Sequence, residues 1–88
     1  MTQDEIGSVF ARLKGGARLV LTGARSEMDA RMVTITWLGY GQFLREERMP
    51  RRDAVTRAYA MDDVALREML HTKELRPGEP IDSVTLSN

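Results

Sequence analysis

The chain of 88 residues contains no cysteine and a single histidine, His71. Without cysteine it can form no disulfide, no thiolate zinc site and no cysteine nucleophile. One imidazole cannot make a multi-histidine metal site, and a histidine near the end of a helix is typical of a surface residue. No P-loop and no glycine-x-serine-x-glycine nucleophile elbow is present. The sequence therefore predicts a non-enzymatic protein without a metal or a cofactor.

An excess of charge of either sign is also absent, because thirteen basic residues balance thirteen acidic ones. Nucleic-acid-binding domains usually carry a basic excess, since counterion release from phosphates supplies much of their affinity. The longest apolar run is far short of the ~20 residues that cross a bilayer, and Asp4 and Glu5 follow Met1 too closely for a secretory signal. We therefore expect a soluble, cytoplasmic protein with no membrane association.

The size and composition are those of one small folded domain. Hydrophobic residues make up 42% of the chain and charged residues 30%, which is ordinary for a globular protein. A chain of this length buries roughly 60–65% of the surface that its unfolded form exposes, so its core is thin. A second copy or another partner is a plausible source of added stability.

The N-terminal segment predicts a helix from about residue 3 to 14. Thr2 followed by Glu5 is the pattern of a capping box, in which each side chain accepts a hydrogen bond from a free backbone amide of the other residue. Gly15-Gly16 offers the left-handed conformation in which helices often end. The apolar residues recur at helical spacing and should form one buried stripe: Ile6, Val9, Phe10 and Leu13.

Two strands are predicted next. Residues 17–24 hold a short apolar run between glycines, and residues 31–38 are rich in β-branched side chains. Val33, Ile35 and Trp37 fall on one face of the second strand, which we expect to be the buried face. The short polar connection between the two runs favours an antiparallel hairpin.

The apolar periodicity that indicates helices and strands is weaker from residue 39 onward. Gly39-Tyr40-Gly41 permits a bend or a bulge before a strand resumes. Residues 53–61 fit either a strand or a helix. Asp62 is a good N-cap for a second helix that ends near Thr72. Beyond the prolines at 77 and 80, residues 81–86 alternate only loosely.

These elements together predict a single domain over residues 1–88 in the α+β class. Two helices should pack on one face of a small antiparallel sheet of three to four strands. For residues 75–88 the sequence pattern fits either a loose tail or an edge strand.

One stretch of the chain stands out as a candidate contact surface. Aromatic residues and arginines are dense there, and Trp, Tyr and Arg supply a disproportionate share of interface energy. Trp37 is assigned to the core, and the arginines are placed in a loop over residues 45–57. The partner-binding residues predicted from this stretch are Tyr40, Phe43, Arg45, Arg48, Arg51 and Arg52.

We therefore expect a protein–protein interaction module. It could be a homodimer or a small accessory factor, of the type found in phages and mobile elements, that binds and modulates a larger host complex. Two alternatives are kept. One is nucleic-acid binding through the loop at 45–57, which Glu46, Glu47 and Asp53 disfavour because they repel phosphate. The other is a small enzyme without a recognisable motif.

Overall fold

The computed structural model describes residues 1–23, 31–49 and 54–88. Within these ranges the chain forms two helices and seven strands. In chain order they are α1 (Gln3–Lys14), β1 (Arg18–Gly23), β2 (Arg31–Gly39), β3 (Gln42–Met49), β4 (Ala54–Asp62), α2 (Asp63–Thr72), β5 (Glu74–Arg76), β6 (Glu79–Pro80) and β7 (Ser83–Ser87).

Helix α1 forms as the sequence predicts. The Thr2 hydroxyl accepts from the Glu5 backbone amide at 3.2 Å, and a Glu5 carboxylate oxygen accepts from the Thr2 amide at the same distance. The backbone hydrogen bond from Thr2 holds the pKa of Glu5 below its ordinary value. The helix ends before Gly15 and Gly16, and Gly16 has a φ of 103°. The capping box and both boundaries are therefore confirmed.

The main sheet has five strands in the order β4-β3-β2-β1-β7, and every neighbouring pair is antiparallel. The predicted hairpin of the first two strands is confirmed, with Leu19 opposite Ile35 and Leu21 opposite Val33. Strand β7 then adds to the free edge of β1, with Leu86 opposite Leu19. The strands at the two edges are β4 and β7.

The prediction of a sheet of three to four strands is wrong. The protein is α+β with a larger, five-stranded sheet and a separate two-stranded hairpin, β5–β6. Residues 54–62 form an edge strand rather than a helix, and residues 83–87 form the opposite edge. Edge strands of this kind alternate poorly, because most of their side chains face solvent and no longer need an apolar pattern.

One face of the sheet packs against both helices. Phe10 of α1 meets Phe43 of β3 edge to face, with ring centroids 5.3 Å apart and planes at 80°. This is a favoured aromatic geometry. The core is the set of buried residues Ile6, Val9, Phe10, Leu13, Leu19, Leu21, Val33, Ile35, Phe43, Met61, Leu66, Met69, Leu70 and Leu75.

The β5–β6 hairpin closes one end of this core. Helix α2 begins at the predicted N-cap, where an Asp62 carboxylate oxygen accepts from the Ala65 amide at 2.8 Å. The hairpin after α2 then approaches the end of β1 at Gly23. A Cβ at Gly23 would lie 2.7 Å from Leu75 Cδ1 and 2.9 Å from the Pro80 carbonyl oxygen, so this contact requires glycine.

The two described helices have 12 and 10 residues. Neither is long and apolar enough to cross a membrane.

Candidate partner-binding site

The turn between β2 and β3 projects three large apolar side chains. Gly39 pairs with Gln42, so Tyr40 and Gly41 are the two turn residues, and their φ angles are 54° and 72°. Positive φ at both positions is the pattern of a type I′ turn, which normally takes Asn-Gly. Tyrosine is an unusual first residue for this turn, because its side chain gives no compensation for the left-handed backbone.

We call Trp37, Leu38 and Tyr40 the hairpin tip. Tyr40 is fully exposed, Leu38 is 55% exposed and Trp37 is 41% exposed. These are three of the six exposed large hydrophobic side chains in the part of the chain that the structure describes. Single exposed apolar residues are ordinary, but here three of them lie within four consecutive residues around one turn, with Trp37 and Leu38 on opposite faces of β2.

The prediction that Trp37 is a core residue is wrong, because its side chain is 41% exposed. Trp37 lies on the same sheet face as Val33 and Ile35, as alternation predicts, and opposite Phe43. It is only partly covered, however, because it lies at the end of β2 next to the turn. Phe43 is fully buried and takes the core position instead. The prediction of Phe43 as an accessible contact residue is therefore corrected, since its ring is packed against Phe10.

The prediction of an arginine-rich loop at residues 45–57 is wrong for its described residues, because 45–49 belong to β3 and 54–57 belong to β4. Arg45 and Arg48 belong to β3, and Arg57 belongs to β4. Arg45 is buried at 3% exposure, so it is not an exposed contact residue. Arg48 lies on the opposite sheet face, 4.0 Å from Glu46. The predicted contact residues Arg51 and Arg52 lie outside the described residues.

Arg45 takes part in a buried charge cluster around Glu47. Glu47 is 1% exposed and is the acceptor for two guanidinium groups. Arg31 Nη1 donates to Glu47 Oε2 at 2.8 Å, and Arg76 Nη2 donates to the same oxygen at 2.6 Å. Glu79 lies 3.7 Å from the second nitrogen of Arg31. The cluster connects β3 to β2 and to the β5–β6 hairpin.

Opposing influences set the charge state of Glu47. Burial, the largest of them, favours the neutral acid. The hydrogen bond from Arg31 and the charges of Arg45 and Arg76 favour the carboxylate. Together the guanidinium groups outweigh burial and hold the pKa of Glu47 below its ordinary value of 4.5. Glu47 is therefore an ionised structural acceptor at neutral pH, not a proton donor.

The hydrogen-bond acceptors of the Arg45 guanidinium are weaker than the Glu47 carboxylate that accepts from Arg31 and Arg76. Nη2 donates to the Leu75 carbonyl at 3.0 Å, but Nη1 donates to the thioether sulfur of Met69 at 3.1 Å. A thioether is a weak acceptor. Nε has no hydrogen-bond partner among the described residues and lies 3.8 Å from Glu47 Oε1. Arg45 is thus a buried cation whose hydrogen-bonding capacity is only partly used.

A cleft of about 320 Å³ opens beside Arg45, between β4, α2 and the β5–β6 hairpin. Its walls are mostly apolar, and Glu68, Glu74 and Arg76 also line it. A second, wider groove runs between the two helices and is lined by Gln3, Asp4, Ile6, Arg67, Glu68 and His71.

Among the described residues, no group of three or more acidic or histidine side chains is arranged to hold a metal ion. His71 is exposed at the end of α2, where the sequence placed it. No protein-family model, no curated protein and no solved structure matches this chain.

Sequence reasoning missed the charge cluster, although one signal could have revealed it. In a strand, alternate residues share a face. Once Phe43 is placed in the core, Arg45 and Glu47 must face the interior as well. A buried Arg and Glu two residues apart require further charged partners, which Arg31 and Arg76 supply from distant parts of the chain.

Proposed function

We propose that the protein is a non-enzymatic protein-interaction module that binds its partner through the hairpin tip. The observation that carries the proposal is the exposure of Trp37, Leu38 and Tyr40 around one tight turn. Trp and Tyr bury large areas with few rotatable bonds, and they dominate the energetics of measured interfaces. A projecting tip of this kind fits an apolar pocket on another protein.

The backbone at Tyr40 supports the same proposal. A left-handed non-glycine residue costs free energy unless its side chain can stabilise the turn, as asparagine does. Such outliers cluster at functional positions, where side-chain chemistry outweighs local preference. Tyr40 is fully exposed, so no intramolecular packing compensates for its conformation. A role in contacting a partner accounts for a tyrosine at this position.

The chemistry of the tip favours a protein over a small molecule or a nucleic acid. The tip residues line neither the Arg45 cleft nor the groove between the helices, so a ligand held in either of those two cavities would not contact the tip. Trp37, Leu38 and Tyr40 carry no positive charge for phosphate groups. The partner could be a second copy of this chain or a larger protein complex, and the experiment below separates these forms.

Size-exclusion chromatography with light scattering tests for the second copy, and isothermal titration with a partner identified by capture tests for another protein. Tyr40→Asn should weaken either association by about tenfold or more, because truncation of an aromatic anchor typically costs ~2 kcal/mol. Val64→Ser is the matched control. It also removes an exposed apolar side chain, at 70% exposure, but on α2 and away from the tip.

The proposal is overturned if the protein is monomeric and captures no protein, or if both variants bind a partner as tightly as the parent chain. It is also overturned if the only ligand recovered is a nucleic acid whose binding weakens steeply with salt. Turnover of a substrate by the purified chain would support the enzyme alternative instead.

A further inference from the structure

We propose that the Arg45 cleft binds a carboxylate group carried by an apolar ligand, with the Arg45 guanidinium as its anchor. This site is separate from the hairpin tip and does not rest on the proposed function. The acceptor for the Arg45 Nη1 atom is the Met69 sulfur at 3.1 Å. A buried guanidinium normally takes oxygen acceptors, and a carboxylate is the geometric match for its fork of donors.

The hydrogen-bond geometry of the cluster points the same way. Three guanidinium groups surround the one carboxylate of Glu47, and Arg31 and Arg76 hold it at hydrogen-bond distance. Arg45 is the member left beyond that distance, at 3.8 Å. Arg45 therefore makes no hydrogen bond to Glu47, although it is only 3% exposed. An incoming carboxylate would give its guanidinium an oxygen acceptor in place of the Met69 sulfur.

The walls of the cleft determine what must accompany that carboxylate. They are formed by apolar and aromatic side chains, which favour an apolar body: Tyr59, Met61, Ala65, Met69, Leu75 and Pro77. A volume of about 320 Å³ is at the small end of ligand sites, which suits a ligand of modest size. Methionine walls adapt to ligand shape because the side chain is unbranched and flexible.

Two acidic residues at the cleft narrow the ligand class further. Glu68 and Glu74 line it, and Glu74 Oε2 accepts from the Gly78 amide at 3.3 Å. Both carboxylates would repel a ligand with several negative charges, such as a phosphate ester. A ligand with one carboxylate that reaches Arg45 and leaves its apolar part against the walls is the best fit.

Two sources can supply this chemistry. One is a free monocarboxylic acid, and the other is an acidic side chain flanked by apolar residues on a partner protein. We therefore use two probes, 4-phenylbutyrate and a terminally blocked Phe-Glu-Phe peptide. The neutral amide of phenylbutyrate serves as the matched probe without charge. Binding is followed by NMR of methyl-labelled methionine, since Met61 and Met69 line the cleft.

The expected result is a saturable shift of the Met61 and Met69 methyl signals with at least one carboxylate probe. The affinity of the neutral amide should be lower than that of the acid by about tenfold or more. Ala65→Leu should abolish the shift, because Ala65 lines the cleft and a larger side chain on a helix fills it without disturbing the fold. Val64→Leu, the neighbouring exposed position outside the lining, is the control and should bind like the parent chain.

Each outcome decides the proposal. Binding of phenylbutyrate supports a free acid as the ligand, whereas binding of the peptide alone supports an acidic side chain of a partner. The proposal is overturned if neither carboxylate shifts the methyl signals, if the amide binds as well as the acid, or if Ala65→Leu binds as tightly as the parent chain. Folding of both variants is checked by their amide NMR spectra.

Discussion

Arg45 and Glu47 lie two residues apart on the interior face of β3, with Arg45 Nε 3.8 Å from Glu47 Oε1. The two side chains are close enough to interact electrostatically, yet each makes its hydrogen bonds with other residues. Glu47 accepts from Arg31 and Arg76, while Arg45 donates to the Leu75 carbonyl and the Met69 sulfur. This arrangement ties β3 to β2, α2 and the β5–β6 hairpin.

Glu47→Gln should destabilise the fold by about 3–5 kcal/mol, because removing one member of a buried ion pair leaves an uncompensated charge behind. Arg45 would then retain no nearby carboxylate among the described contacts. Denaturant unfolding followed by circular dichroism measures the effect. Glu46→Gln is the control, since Glu46 is partly exposed on the opposite sheet face. Equal stability of the two variants would show that the cluster contributes little.

The same residue predicts a pH dependence of stability. The pKa of Glu47 is lowered in the folded state, so its contribution is complete above its ordinary value of 4.5 and is lost as the pH falls through the lowered native pKa. The parent chain should therefore lose stability on acidification below pH about 4.5. The Glu47→Gln variant should show a shallower slope over that range, and an identical slope would contradict the assignment.

Arg45→Met should cost less than Glu47→Gln, about 1–2 kcal/mol, although both residues are buried. Glu47 keeps two guanidinium partners when Arg45 is removed, so no buried charge is left unpaired. The main loss is the donor to the Leu75 carbonyl. Unfolding free energies of the two variants under the same conditions provide the comparison. A larger loss for Arg45→Met would mean that Arg45 is the principal partner of Glu47.

Tyr40→Asn should leave the stability of the protein unchanged or raise it by about 0.5–1 kcal/mol. Asparagine tolerates the left-handed backbone and, followed by Gly41, forms the preferred pair of a type I′ turn. Thermal unfolding measures the change. A clear fall in melting temperature would show that the Tyr40 ring makes intramolecular contacts that stabilise the turn.

Trp37→Ala should reduce stability much less than Phe43→Ala. The Phe43 ring is fully buried, and its removal should cost about 3–5 kcal/mol, whereas Trp37 is 41% exposed and leaves a site open to water. Denaturant midpoints of the two variants test this order. The reverse order would restore Trp37 to the core position that the strand pattern assigned to it.

Strong local patterns made both helices and the second strand predictable. The capping box at Thr2 and Glu5 fixed the start of α1, and alternation in residues 31–38 identified β2. The N-cap at Asp62 located α2. In each case the structure depends on a local hydrogen bond or on one buried face, and both can be recognised from the types and spacing of neighbouring residues.

The missed elements depend on contacts between distant residues. Strand β7 pairs with β1 across more than sixty positions, and its exposed side chains carry little alternation. The Pro77-Gly78 turn of the β5–β6 hairpin resembles an irregular connector. At the site, Tyr40 was predicted as a contact residue because tyrosine is frequent in interfaces. The buried environment of Arg45 depends on Leu75 and Met69, which only the folded chain brings close.

The central claim is that the hairpin tip contacts a protein partner, and site-specific photocrosslinking tests it most directly. A benzophenone amino acid is placed at position 40 and, as the control, at position 64, and each protein is irradiated in an extract of the cells that express it. The account predicts one discrete protein adduct, either a second copy or another chain, from position 40 alone, and its loss on adding Trp37→Ser. The absence of a protein adduct from position 40, or the same adducts from both positions, would contradict it.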